Sequence, residues 1–293
     1  MAERPPIAAI IALALVALFW GAIPLFVRND VPAIGLVGVR VTFGALALVI
    51  LAASLRRLVW SHGRWGRITL AGVLLAAHWW TFFESLKHAP VAVALAILYV
   101  GPIAAAILAG PFLGESVSPR VWVALGVAAA GMVLVIQPWA VDEAVTTRGV
   151  VMAVLSAALV TALLLAGKPI AQQLGGLTMA TGELVVASVI LVPATYDAIT
   201  TYPNQIGNFL ILGALLTGIA GFVYWEVMRR ISMAAVSVIM YIEPASAVIW
   251  AAMFLDERPN PVAWLGVGGV VAGGVIAAAA TRQREAVLAT ANL

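Results

Sequence analysis

Apolar residues run along this chain in stretches of about 17–25 positions, the length a helix needs to cross a bilayer core. Ten such stretches stand out, at about 7–27, 33–55, 68–87, 91–112, 119–137, 149–167, 177–195, 207–227, 233–255 and 261–281. The short connections between them hold most of the charge, proline and asparagine. This pattern predicts an all-α integral membrane protein of ten transmembrane helices. The first stretch differs from a secretory leader, because only Arg4 precedes it as a basic residue and its apolar run continues to Val27. A retained helix is the expectation.

Composition supports the same class. Hydrophobic residues make up 63% and charged residues 10% of the chain, against roughly a quarter charged in a soluble domain. Such a surface cannot mostly face water. The absence of cysteine removes disulfides and thiolate metal sites from consideration. A net charge of +3 does not imply nucleic acid here, because the basic residues have a topological role. With the N-terminus inside, Arg4, Arg56, Arg57, Arg64, Arg67, Arg120, Lys168, Arg229, Arg230, Arg282 and Arg284 fall inside. Arg28, Lys87, Arg148 and Arg258 fall outside. That bias places both termini in the cytoplasm.

The chain also repeats itself. Tyr99-Val100-Gly101-Pro102 returns as Tyr241-Ile242-Glu243-Pro244, an offset of 142 positions (102 to 244). The same offset carries Glu84 onto Glu226, Phe112-Leu113 onto Phe254-Leu255, Glu115 onto Glu257, Pro119 onto Pro261 and Trp122 onto Trp264. The division falls into residues 1–138 and 139–293, each with five crossings. An odd number of crossings makes the second copy enter from the opposite side, giving two inverted-topology five-helix repeats. Such halves can exchange conformations and expose a central site to each side in turn.

Pro102 and Pro244 lie about halfway through the fourth and ninth helices. Each removes a backbone N–H and displaces the carbonyl four residues earlier. Paired interruptions at matching depth point to a midplane site, although either alone is consistent with a packing kink. Intramembrane charge is functional by default. Glu243 is the deepest, placed to bind a cation or proton, and its repeat mate is Gly101. Ser246 and Trp250 share its helical face. Arg40 and Glu183, each about seven residues inside a helix end, read as gating or structural supports. Glu84, Glu226, Glu115 and Glu257 sit nearer helix ends and read as pins. His78, Thr81, Phe82 and Ser85 form a polar-aromatic stripe on the third helix. Trp20, Tyr99 and Tyr241 fall in the same layer, where their amphipathic rings suit an amphiphilic solute or a cation. In the tenth helix, Gly269 and Gly273 read as a packing seam, with a dimer contact as the alternative.

These residues resemble the drug/metabolite transporter superfamily, in its ten-helix EamA branch. The resemblance rests on Phe19-Trp20-Gly21, Val39-Arg40-Val41-Thr42-Phe43, Gly101-Pro102 with Leu113-Gly114-Glu115, and Glu243-Pro244 with Leu255-Asp256-Glu257 and Gly268 to Gly273. It covers essentially the whole chain. It implies a fold more firmly than a substrate, since similar proteins export amino acids, other metabolites or drugs, and some take up sugars or choline.

Other functions find little to stand on. None of His62, His78 and His88 belongs to a His-Glu-x-x-His pattern, and no Gly-x-Ser-x-Gly or Walker motif occurs. No catalytic residue, metal site, cofactor or nucleic-acid partner is expected. The expected activity is secondary-active, alternating-access export of small amphiphilic metabolites such as amino acids or amines, across a bacterial inner membrane. An uptake carrier for a sugar or quaternary amine, and a lipid scramblase, are the alternatives. The expected substrate-binding residues are Trp20, His78, Phe82, Tyr99, Tyr241 and Glu243, supported by Arg40, Glu183, Pro102 and Pro244. The partners are a small-molecule substrate, membrane lipid and a proton as candidate coupling ion. Monomer and homodimer both remain open.

Overall fold

The computed structural model describes residues 7–27, 30–56, 65–89, 91–140, 145–254 and 259–291, with the backbone alone for 24, 27, 91, 92, 251, 278 and 280–291. All regular elements among these residues are helical. The first half comprises α1 (Ile7–Trp20), α2 (Ile23–Val27), α3 (Ala33–Ser54), α4 (Trp65–Leu86), α5 (Val91–Leu98), α6 (Val100–Leu113) and α7 (Pro119–Ile136). The second half comprises α8 (Thr147–Leu174), α9 (Gly176–Ile190), α10 (Val192–Thr201), α11 (Ile206–Leu210), a π-helical stretch at Ile211–Ile219, α12 (Ala220–Met228), α13 (Met233–Met240), α14 (Ile242–Phe254) and α15 (Pro261–Ala291). Taken as passages, α1–α2, α5–α6, α9–α10, α11–α12 and α13–α14 are single crossings with a break or bend. The bundle then has the ten crossings expected. Among the described residues six segments are long and apolar enough to span alone, and the α9–α10 pair, bent by 74°, makes a seventh if it is taken as one span.

Each departure from a straight helix has a local cause. The expected interruptions at Pro102 and Pro244 appear as breaks at Tyr99 and Tyr241, three residues earlier, where the helices lose their regular turn. The α9–α10 bend sits at Leu191, because Pro193 has no N–H to offer the Val189 carbonyl. α8 outruns its expected end near 167 and continues through Pro169 to Leu174. The apolar pattern stops there at Lys168, but the helix does not, because Lys168 finds buried partners. In the π-helical stretch, Thr217 Oγ1 donates to Leu212 O at 2.7 Å, and Gly213 and Gly218 let α3 approach closely at Gly44.

The glycine seam of the tenth helix packs within the chain. A Cβ at Gly131 of α7 would lie 2.6 Å from Val270 N and 2.8 Å from Gly266 O of α15, and Gly273 abuts Ala128 in the same way. This close approach is the small-residue packing used where water supplies no driving force between helices.

Side-chain bonds gather the loops into two faces. On one, here the basic face, Glu226 pairs with Arg229 at 2.6 Å and with Arg230, and accepts from Gly176 N at 3.0 Å. Beyond the end of α12, its hydrogen bond to Glu226 pushes the Arg229 guanidinium above its ordinary pKa. On the opposite face, Arg148 pairs with Glu84 at 2.8 Å, and Tyr202 bonds to Asp30 O at 3.1 Å. Glu84 and Glu226 thus pin helix ends, as their positions implied. Arg4, Arg28, Arg57, Arg64, His62, Arg258 and the Leu255-Asp256-Glu257 motif lie outside the described residues, as do the side chains of Arg282 and Arg284.

Candidate functional site

A cavity of about 210 Å³ lies between the halves, at the level of the helix breaks. Its position follows from the way each broken helix is re-satisfied. In the first passage, Ala22 N turns back to Phe19 O at 3.0 Å, which leaves the Leu18 carbonyl without its helical donor. Trp250 Nε1 supplies one at 2.8 Å and Ser246 Oγ another at 3.2 Å. Around the fourth passage, three hydroxyls of the second half reach carbonyls. Thr161 donates to Gly101 O at 3.0 Å, Ser237 to Pro102 O at 2.8 Å, and Tyr241 to Tyr99 O at 3.4 Å. Freed backbone survives inside a bilayer only with such partners. The breaks therefore hold the halves together while they open space between them.

Of the expected binding residues, Trp20, His78, Phe82, Tyr99 and Glu243 all line this cavity. Tyr241 does not. It is fully buried behind Tyr99, with ring centroids 5.6 Å apart, so the repeat-related tyrosines form a contact across the halves. Pro102 and Pro244 line the wall. Of the third-helix stripe only His78 and Phe82 reach the cavity. Thr81 and Ser85 bond back to Ala77 O and Phe82 O within α4. Ser246 and Trp250 share the Glu243 helix but turn to the Leu18 carbonyl instead.

The two expected supports separate. Arg40 lines the cavity, buried, with Nε donating to Thr217 Oγ1 at 3.1 Å. Its guanidinium stacks 4.3 Å from the Trp79 ring centroid and 5.6 Å from that of Phe83, a geometry in which aromatic faces stabilise a desolvated cation. Glu183 lies outside the wall. It is 4% exposed, accepts from Trp225 Nε1 at 2.5 Å, and its Oε2 has no hydrogen-bond partner among the described residues.

The wall combines one carboxylate, one guanidinium and a ring of aromatics. Tyr99, Arg40 and Glu243 all face the same cavity. Trp20 is fixed by donation to Leu216 O at 2.7 Å and stacks 5.4 Å from Tyr224. His78 Nδ1 lies 2.9 Å from Ser156 Oγ and 3.1 Å from Ser156 O, which ties α4 to α8. Two oppositely charged groups on different helices, with apolar faces between them, can hold both ends of a small zwitterion. Among the described residues no three His, Asp or Glu side chains gather to hold a metal.

Trp79, Phe83 and Tyr224 also line the wall and were missed from the pattern. A signal for two of them exists, since the 142-residue offset carries Phe82-Phe83-Glu84 onto Tyr224-Trp225-Glu226. One helical turn beyond the lining residue Leu164, the basic face is closed by a buried clamp. Lys168 Nζ lies 2.5 Å from Glu115 Oε1 and 2.5 Å from Ile231 O, and Glu115 Oε2 accepts from Met233 N at 2.7 Å.

Comparison with known proteins places this arrangement. The model of the EamA-like transporter family matches twice, at residues 7–137 and 147–279. The "Probable terminal-alkyne amino-acid exporter" of Streptantibioticus cattleyicolor is 27% identical, covering 95% of this chain and 96% of that protein. The threonine/homoserine exporter RhtA of Escherichia coli K12 is 26% identical, over 82% of this chain and 81% of its own. The transporter YwfM of Bacillus subtilis is 23% identical, over 83% and 86%. A solved crystal structure superposes with a TM-score of 0.79 at 17% identity, covering 92% of this chain and 98% of that one, a likeness of fold.

Proposed function

The chain belongs to the EamA-like transporter family, and from that premise we propose that it exports small amphiphilic metabolites, with amino acids as the leading class, by alternating access. The carrying observation is the cavity between the halves, which sets Glu243 and Arg40 among aromatic walls. Its 210 Å³ is below the roughly 300–1,000 Å³ of drug-sized pockets, which favours a small solute. In this reading Glu243 takes the ammonium group, or a proton in its absence, and Arg40 takes the carboxylate. Trp20, Tyr99 and Phe82 bound the side chain. Two relatives whose names specify amino-acid export support the class.

The basic face is cytoplasmic in this proposal, following the positive-inside bias, and the membrane is a bacterial inner membrane. The halves, 1–138 and 139–293, rock about the cavity. The Lys168–Glu115 clamp must part for the cavity to open to the basic face.

The test is release from proteoliposomes loaded with equal amounts of threonine, homoserine, choline, a hexose and a dicarboxylate, read by mass spectrometry against protein-free vesicles. Selective loss of the amino acids supports the proposal. Selective loss of the hexose or choline contradicts the substrate class, and loss of none of them contradicts the function as stated. Movement of labelled lipid between leaflets without solute release would favour a scramblase.

A further inference from the structure

A second, larger depression of about 920 Å³ lies outside the substrate cavity, between α6 and α8, and runs to the start of α4. Val100, Ala104 and Leu108 form one wall, and Ala158, Ala162 and Leu165 the other. The two helices touch at Gly101, where a Cβ would lie 2.9 Å from Ala157 O. At the basic face Lys168 of α8 reaches Glu115, just beyond the end of α6. Between these contacts the small alanines of α8 leave a trough.

Its chemistry is one-sided. The hydroxyl of Thr161, which also lines it, is already committed to Gly101 O at 3.0 Å and Ala157 O at 2.8 Å. Between α6 and α8 the wall therefore offers mainly hydrocarbon contact. At the basic end stands exposed Arg67, with no ion-pair partner among the described residues. From Val100 to Leu113 the helix rises about 20 Å at 1.5 Å per residue, enough to flank one leaflet of a bilayer core about 30 Å thick.

We propose that this trough is a binding site for one anionic phospholipid of the leaflet at the basic face, with its phosphate on Arg67 and an acyl chain between α6 and α8. Charge complementarity at one end and an apolar slot of leaflet length at the other select this occupant. A basic residue beside a pocket between membrane helices is the known physical basis of anionic headgroup binding. The site also touches the transport machinery. Its deep end is Val100–Gly101, and the adjacent Tyr99 and Pro102 line the substrate cavity. A bound chain therefore braces the α5–α6 break from its lipid side.

The test is native mass spectrometry of the full-length protein released from nanodiscs of equal phosphatidylglycerol and phosphatidylcholine. The wild type is expected to retain a single phosphatidylglycerol, favoured about fivefold over phosphatidylcholine. Arg67→Glu should lose that preference and Arg67→Lys should keep it. Ala162→Trp, which fills the trough without touching the charge, should lose retention with Arg67 intact. Equal retention of both lipids by wild type, unchanged retention in Arg67→Glu, or a lipid-free dimer would overturn the site.

Discussion

Where α6 of the first half meets α8 of the second, the residue that makes room is Gly101, on the broken helix itself. Where α14 of the second half meets α1 of the first, room is made by Gly21, on the partner. A Cβ at 101 would lie 2.7 Å from Val160 Cγ1 and 2.9 Å from Ala157 O. A Cβ at 21 would lie 2.6 Å from Glu243 O and 2.8 Å from Ala247 N. A side chain at position 101 would therefore require the crossing to shift, whereas its repeat mate, position 243, carries one. At that crossing the glycine stands on the other chain segment, which leaves position 243 room for the cavity's carboxylate. Duplication supplied two broken helices and two tyrosines; unequal close packing decided which half holds the charge.

The faces show a parallel inequality. Each has an ion pair linking the halves, Lys168–Glu115 on the basic face and Arg148–Glu84 on the opposite one. The Lys168 side chain is 2% exposed and that of Arg148 is 61% exposed. Removing one partner of a buried pair strands the other, at a cost of roughly 3–5 kcal/mol. Lys168→Met should therefore be the most damaging change, read as lost thermal stability in detergent. Lys168→Met with Glu115→Gln should recover part of that loss, and strictly additive losses would break the comparison.

Next in size are the crossings. Gly21→Ala places a methyl against Ser246 Oγ and backbone atoms of α14 and should cost about 1–3 kcal/mol. Gly101→Ala meets the side chain of Val160 as well as Ala157 O, and should be milder if Val160 yields. Equal losses in parallel melts would show that the crossings are equivalent after all. Similar in size is Trp225→Phe, which leaves Glu183 without its indole donor, at about 1–3 kcal/mol. Arg148→Ala should change stability least, by under about 1 kcal/mol. A loss as large as that of Lys168→Met would mean the opposite face is clamped as tightly.

Much of this was legible before any coordinates. Spans, repeats and both proline breaks follow from apolar run length and from residues too distinctive to recur by chance. Five of the six expected binding residues meet in one cavity. The bend at Leu191 and the π-helical stretch were missed, because each depends on one proline or on glycine contacts within an apolar run. Trp79 and Phe83 escaped because the α4 stripe was read through His78, Thr81, Phe82 and Ser85, whereas the face turned to the cavity runs through His78, Trp79, Phe82 and Phe83. Tyr241 was misplaced by the symmetry that found it. In an exact repeat both tyrosines would line the cavity, but only Tyr99 does. Arg40, expected as a gating or structural support, lies in the cavity wall, where Trp79, Phe83 and Thr217 give a buried cation partners.

The central claim is that one carboxylate, unmatched in the other half, recognises the transported solute. Counterflow of labelled threonine into threonine-loaded proteoliposomes at equal pH on both sides tests it most directly, comparing wild type with Glu243→Gln of equal folded yield. Exchange in wild type, reduced at least about tenfold in Glu243→Gln, which corresponds to about 1.4 kcal/mol of lost binding, is the expected result. Equal exchange in both proteins would contradict the assignment of Glu243 and with it the asymmetry on which this account rests.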